Sequence, residues 1–109
     1  LQGIHSHVIN QIKTNINMEV IGTIKHIGET ETVSDRFKKR EIVITIDPDS
    51  TYPQHVSFQL TQDKCDLVNS MIEGVQVKAQ FNLRGREWNG PQGVKYFNTL
   101  EIWRMAVVN

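Results

Sequence analysis

The sequence predicts an all-β domain with one short helix, its five antiparallel strands closing into a small barrel. Three observations lead there. Apolar and polar residues alternate with period two in five stretches, the pattern of strands that bury one face and wet the other. Only one internal stretch, Asp63 to about Ile72, has helical spacing, with Leu67, Val68, Met71 and Ile72 on one face. That stretch falls between the third and fourth strands.

The first strand is expected from Glu19 to about Ile27, with Gly22 at its middle. A glycine inside a strand marks the bulge or sharp bend that a small closed barrel needs. Gly28 to Asp35 is polar and reads as a loop. The second strand, Phe37 to Ile46, turns Ile42, Ile44 and Ile46 inward and Phe37, Lys39 and Val43 outward. Asp47-Pro48-Asp49-Ser50 is a turn cluster, with Tyr52 and Pro53 expected to pack beside it. The third strand, Gln54 to Thr61, alternates Val56, Phe58 and Leu60 with His55, Ser57 and Gln59. Thr61 or Asp63 is placed to cap the helix, and Gly74 to stop it. In the fourth strand Val75, Val77, Ala79, Phe81 and Leu83 share the inner face; Lys78, Gln80, Asn82, Arg84, Arg86 and Trp88 share the outer one. Asn89-Gly90-Pro91-Gln92-Gly93 breaks the pattern as a hairpin loop. The fifth strand, Val94 to about Met105, places Tyr96, Leu100 and Ile102 inside and Lys95, Phe97, Thr99 and Trp103 outside. A short helix between strands three and four of a five-stranded antiparallel barrel is the arrangement of the OB-fold. An SH3-like barrel and an open α+β sheet compete, but neither so naturally puts the only internal helix there.

At 109 residues the chain is expected to hold one domain. Residues 1–17 differ from the rest: Lys13 is their one charge, and only Ile9, Ile12 and Ile16 align on a weak helix. We read 1–17 as an N-terminal extension or leader and 18–109 as the OB-fold domain. The other reading of 1–17 is an arm that packs on a neighbour. Cys65 is the single cysteine, so no internal disulfide can form and a reducing compartment is expected. There is no apolar run near the ~18 residues of a membrane span and no signal-peptide pattern, so the expected location is cytoplasmic.

Twelve basic and twelve acidic residues cancel, which excludes a strongly basic nucleic-acid binder. The distribution is uneven. Arg36, Lys38, Lys39 and Arg40 cluster ahead of the second strand, and Arg84, Arg86, Lys95 and Arg104 lie in the last hairpin. Exposed cations beside exposed aromatic rings are what single-stranded nucleic acid binding needs: phosphates on the cations, bases stacked on the rings. The candidate set is Phe37, Lys38, Lys39, Arg40, Arg84, Arg86, Trp88, Lys95 and Phe97. Each has a plainer reading. Trp88 and Phe97 can be a cross-strand pair that stiffens the hairpin. The arginines can be ordinary solvated strand residues, and the lysines a charged edge that discourages strand pairing. Enzymatic chemistry is not expected, nor a metal or cofactor. His5, His7, His26 and His55 lack metal-ligand spacing with Cys65, and there is no phosphate loop or nucleophile motif.

The run Gly74-x-x-Val77-x-Ala79-x-Phe81-x-Leu83-x-x-Arg86-x-Trp88 resembles the fourth strand of bacterial single-stranded DNA-binding proteins, and Lys95-Tyr96 with Thr99 resembles the start of their fifth. Met18 to Met105 resembles more closely a family of short, uncharacterised bacterial proteins with phage relatives. It does so through Met18-Glu19-Val20 with Gly22, Lys38-Lys39-Arg40-Glu41, Tyr52-Pro53 and Arg86-Glu87-Trp88-Asn89-Gly90. The resemblance implies an OB-fold that binds single-stranded DNA, with RNA as an alternative ligand, without strong sequence preference. A non-catalytic oligomerisation or protein-interaction module is the competing function. A homo-oligomer, a dimer first, is expected through exposed strand edges or the Trp103 face, since strand one leaves apolar groups of Val20, Ile21 and Ile24 on both faces.

Overall fold

A computed structural model describes residues 18–47 and 49–108, and the expected extension at 1–17 lies outside them. The elements run β1 (Met18–Ser34), β2 (Phe37–Ile46), β3 (Gln54–Thr61), a 3-10 helix (Gln62–Val68), β4 (Gln76–Gly90) and β5 (Gly93–Val107). The strands form a closed barrel in the order β1-β2-β3-β5-β4, with β4 returning to β1. This is the expected OB-fold with one amendment. β3 and β5 run parallel, meeting at Gln59 and Glu101, while the other pairings are antiparallel. The reason is topological: directions cannot alternate all the way round a ring of five strands.

β1 closes the barrel by changing partners. Met18 to Thr23 pairs with β4, and Thr23 onward pairs with β2. Gly22 sits at this handover. A Cβ there would lie 2.6 Å from both Ile44 Cγ2 and the Thr45 carbonyl oxygen, so only glycine lets the strands cross this closely. Beyond the handover, β1 shifts register against β2 between Ile24 and His26, Ile27 and Thr30, and Thr32 and Ser34. Each shift adds a residue to β1, and the strand coils around its partner.

The stretch expected as a loop, Gly28 to Asp35, is strand as far as Ser34. Its residues are mostly exposed, so no apolar alternation marks it, yet Thr30, Glu31 and Thr32 pair with Arg40, Lys39 and Lys38. The helix is also corrected. It is the expected short helix, but a 3-10 helix that ends at Val68 rather than reaching Ile72, and it buries Cys65 and Val68. Residues three apart eclipse in a 3-10 helix, so this pair suffices to dock it. Thr61 is its N-cap without a side-chain cap bond, and Gly74 turns the chain into β4 with φ of +98°.

The core is formed by Ile24, Ile42, Ile44, Phe58, Leu60, Cys65, Val68, Val77, Ala79, Ile102 and Met105. Phe58 meets Phe81 edge-on at 5.2 Å. The inward residues of β2 and β3 are those expected, with Ile46 and Val56 half-buried at the barrel's end. Four apolar residues depart from expectation. Tyr52, expected to pack on its turn, is exposed, as is Ile72. Leu83 and Tyr96 keep the inner parity of β4 and β5 but stand beyond the barrel in water. The barrel ends before the hairpin does.

Two arms therefore project from one closed body. One is the outer part of β1–β2, turning at Asp35-Arg36; the other is the outer part of β4–β5, turning at Pro91-Gln92. Hydrogen bonds brace the first arm to the helix. Gln62, which takes a positive φ of 52° at the corner from β3, donates through Nε2 to the Arg36 carbonyl at 2.7 Å. Its Oε1 accepts from the Lys38 backbone N–H.

Candidate functional site

Between the arms, over the outer face of β2 and β3, lies a groove of about 600 Å³. Glu31, Lys39, Arg40, Glu41, Ser57, Phe58 and Gln59 line one side; Leu83, Asn98, Thr99 and Leu100 line the other. Strand alternation sets this arrangement. Lys39 pairs with Thr61, Glu41 with Gln59 and Val43 with Ser57, so the residues between them (Arg40, Ile42) point to the core side. Ser57 Oγ donates to Glu41 Oε2 at 2.6 Å and holds that carboxylate on the groove floor.

The four candidates on the first arm separate. Lys39 lines the groove beside Glu31, its cross-strand partner. Lys38 has the opposite parity and joins Arg36, Phe37 and Gln62 around a smaller recess at the arm's tip. Phe37 is partly exposed there. Arg40 is committed elsewhere. Its Nε donates to the Gly28 carbonyl at 2.7 Å, and its Nη1 to the Cys65 carbonyl at 3.1 Å and Asn69 Oδ1 at 2.8 Å. It ties the base of the arm to the helix, and a phosphate would have to compete with these acceptors.

The five candidates on the second arm stand together. Arg84, Arg86 and Trp88 on β4 lie opposite Thr99, Phe97 and Lys95 on β5, so Arg84, Arg86, Trp88, Lys95 and Phe97 share one face. None of these five side chains lines the groove. The two cation sets are therefore not gathered in one groove: the second set occupies the far face of the arm. On that face the Trp88 and Phe97 rings meet edge-on, 6.5 Å between centroids and 65° between planes. The Arg86 guanidinium stands 5.9 Å over the Phe97 ring. Trp88 folds across Gly90, where a Cβ would run into the indole. Both rings stay open to solvent, Trp88 at 44% and Phe97 at 46% exposure. Arg84 Nη2 lies 3.6 Å from Glu101 Oε1, a weak surface ion pair.

Sequence reasoning missed Tyr96. It is 72% exposed, on the same face of the arm as Asn98 and Leu100, which line the groove. Its parity is legible; that the barrel stops short of it is not. Glu31, Glu41, Ser57, Gln59 and Asn98 were likewise not singled out, because they are ordinary polar residues until the arms bring them together.

Of the remaining titratable groups, Cys65 is wholly buried, and burial pushes its thiol above the usual range; its Sγ donates to the Leu60 carbonyl. Among the described residues, no three His, Cys, Asp or Glu side chains converge as a metal site, and no helix is long and apolar enough to cross a membrane.

Solved structures share this barrel. The chain is similar to Rim1, a mitochondrial single-stranded DNA binding protein of S. cerevisiae, with TM-score 0.62 and 11% identity over 85% of this chain and 94% of that one. It is similar also to the N-terminal domain of PriB from Thermoanaerobacter tencongensis, described as dimeric, with TM-score 0.59 and 16% identity over 87% and 98%. At these identities the likeness establishes the fold. No protein of curated function matches the chain. A family model does match, over residues 19–106, which is β1 through β5, and the chain belongs to that family, described as Domain of unknown function (DUF3127).

Proposed function

We propose that this domain binds single-stranded nucleic acid, DNA first, without catalysing a chemical step. The observation that carries the reading is the second arm. Trp88, Phe97 and Arg86 are assembled on a hairpin that has left the barrel, where there is no core for the rings to enter. Exposed rings backed by a cation suit base stacking, and stacking is tolerant of sequence because every base has a π-face. A strand crossing the groove and bending round the arm meets Lys39 and Phe37 on one side and Tyr96 on the other, then Arg86, Lys95, Trp88 and Phe97 on the far face. Arg84 and Lys38 stand next to this path. Arg40 is left out because its donors are used within the fold. RNA offers the same phosphates and rings. The similarity to a mitochondrial single-stranded DNA binding protein supports the reading at the level of the fold.

Zero net charge makes the attraction local, so binding at physiological salt is expected to be only micromolar and steeply salt-dependent, with a log–log slope of roughly −0.7 per phosphate neutralised. A labelled oligothymidine titrated at several salt concentrations tests this. Trp88→Ala should weaken binding about 5- to 100-fold without altering the slope. Arg86→Ala should make the slope shallower by about 0.7. If folded variants bind as the parent does, the far face of the arm is not the site. If the parent does not bind even at low salt, the interaction-module function takes its place.

Self-association is compatible with binding and has its own observation. Ile21 is half exposed on the outer wall, opposite Lys78, and Trp103, the extra residue of a β5 bulge, is partly exposed. We place a dimer contact on this wall, away from the arms. The free buried Cys65 suits a reducing compartment, the cytoplasm.

A further inference from the structure

The groove between the arms is built unlike a phosphate channel. Its floor presents the carboxylates of Glu31 and Glu41 beside Lys39; Arg40 also borders it, but its guanidinium is held by the Gly28 and Cys65 carbonyls and Asn69, and the opposite wall presents Leu83 and Leu100. A phosphate placed there would face two carboxylates with only Lys39 to meet it, since Arg40's donors are already used within the fold. A base would not: its flat faces suit the leucines, and its edge suits the acceptors. The volume, about 600 Å³, falls in the ordinary range of small-ligand clefts, roughly 300–1,000 Å³. Glu41 is also positioned. The Ser57 hydroxyl occupies part of Oε2 at 2.6 Å, leaving Oε1 free to accept. Gln59 and Asn98 add amides that can donate or accept.

Resting on the single-strand reading above, we infer that the groove seats one base of the bound strand and prefers a base with N–H donors on its Watson–Crick edge, guanine foremost, with Glu41 as the specificity-determining residue. The chemistry ranks the bases. Guanine offers N1–H and an N2 amine side by side, which two carboxylate oxygens or one oxygen and the Gln59 amide can accept together. Cytosine and adenine each offer one amine. Thymine offers a single N–H between two carbonyl oxygens, and those oxygens face the carboxylate unfavourably. Stacking on Trp88 and Phe97 stays indifferent to sequence, so the preference is confined to one position in the bound stretch.

The test compares three labelled oligomers on the full chain at one salt concentration: oligothymidine, the same oligomer with guanines spaced too sparsely to form quadruplexes, and that oligomer with hypoxanthine in place of guanine. Hypoxanthine keeps N1–H and lacks the N2 amine. The guanine oligomer should bind about 5- to 20-fold tighter than oligothymidine, near the lower end for a base contact because the groove is open to water. Hypoxanthine should fall between. Glu41→Gln removes the charged acceptor, so the ratio of guanine-oligomer to oligothymidine affinity should fall below about 3-fold. Glu41 is exposed, and circular dichroism will report that the variant folds. Equal binding of all three oligomers by the parent overturns the base-seat inference and leaves the single-strand reading standing. A preference that survives in Glu41→Gln overturns the assignment to Glu41. Failure to bind any of the three overturns both readings.

Discussion

Arg40 sits inside the basic cluster that looks most like a phosphate clamp, yet its bonds point into the fold, and replacing it separates the two roles. In Arg40→Ala the Gly28 carbonyl loses Nε, and the Cys65 carbonyl and Asn69 Oδ1 lose Nη1. A hydrogen bond from a charged donor is worth about 1.5–3 kcal/mol. These bonds share one side chain and are only part-buried, so water recovers some of the loss and their contributions do not add in full. About 2–3 kcal/mol of destabilisation is expected, against a total of roughly 5–15 kcal/mol for a domain. For a chain of this size that lowers the melting temperature by roughly 8–24 °C. Arg40→Lys keeps the charge and a single donor nitrogen in place of the two that Arg40 uses, and should lose about half as much. Urea unfolding followed by tryptophan fluorescence measures both, with the m-value checking that the denatured state is unchanged. The binding arm of the experiment is the salt slope of oligothymidine affinity at a temperature where the variant is folded. It should match the parent, because Arg40 releases no counterion. An Arg40→Ala protein of parental stability whose slope is shallower by about 0.7 would refute the reasoning and return Arg40 to the interface.

Three further outcomes follow from the geometry. Gly22→Ala forces a Cβ to 2.6 Å from Ile44 Cγ2 and the Thr45 carbonyl and should cost about 1–3 kcal/mol in urea unfolding; a neutral substitution would mean that β1 and β2 can part at the handover without loss. Cys65 should resist alkylation in the folded protein and react on unfolding. Since burial raises the folded thiol above its unfolded value, its stabilising contribution is present below the ordinary thiol range near ~8.5 and is lost as pH climbs past it, so Cys65→Ala should flatten the alkaline fall in stability. Light scattering at tens of micromolar should give a dimer mass, shifted toward monomer by Ile21→Glu; a parent that is monomeric there removes the outer-wall contact.

The sequence by itself determined the strands that carry a core. Ile42, Ile44, Phe58, Leu60, Val77 and Ala79 alternate because one face is dry, and burial selects apolar residues at every second position. The Arg86–Trp88–Lys95–Phe97 face was legible for the same reason, since period two holds wherever a hairpin stays in register; the place of the helix was legible because its apolar residues leave period two for helical spacing. Where both faces are wet, alternation has nothing to record, so the outer half of β1 read as a loop and the barrel's edge at Leu83 and Tyr96 went unmarked. Tertiary structure decided the rest. It made β3 and β5 parallel, which follows from closing five strands into a ring. It bonded the Arg40 guanidinium to the Gly28 and Cys65 carbonyls and Asn69 and left Lys39 beside Glu31, although the two are adjacent in the basic cluster. It put the groove on one side of the second arm and the cation–aromatic face on the other. Which residues meet across a barrel depends on register and on where the arms leave the body, and those are set by long-range pairing that no local pattern encodes.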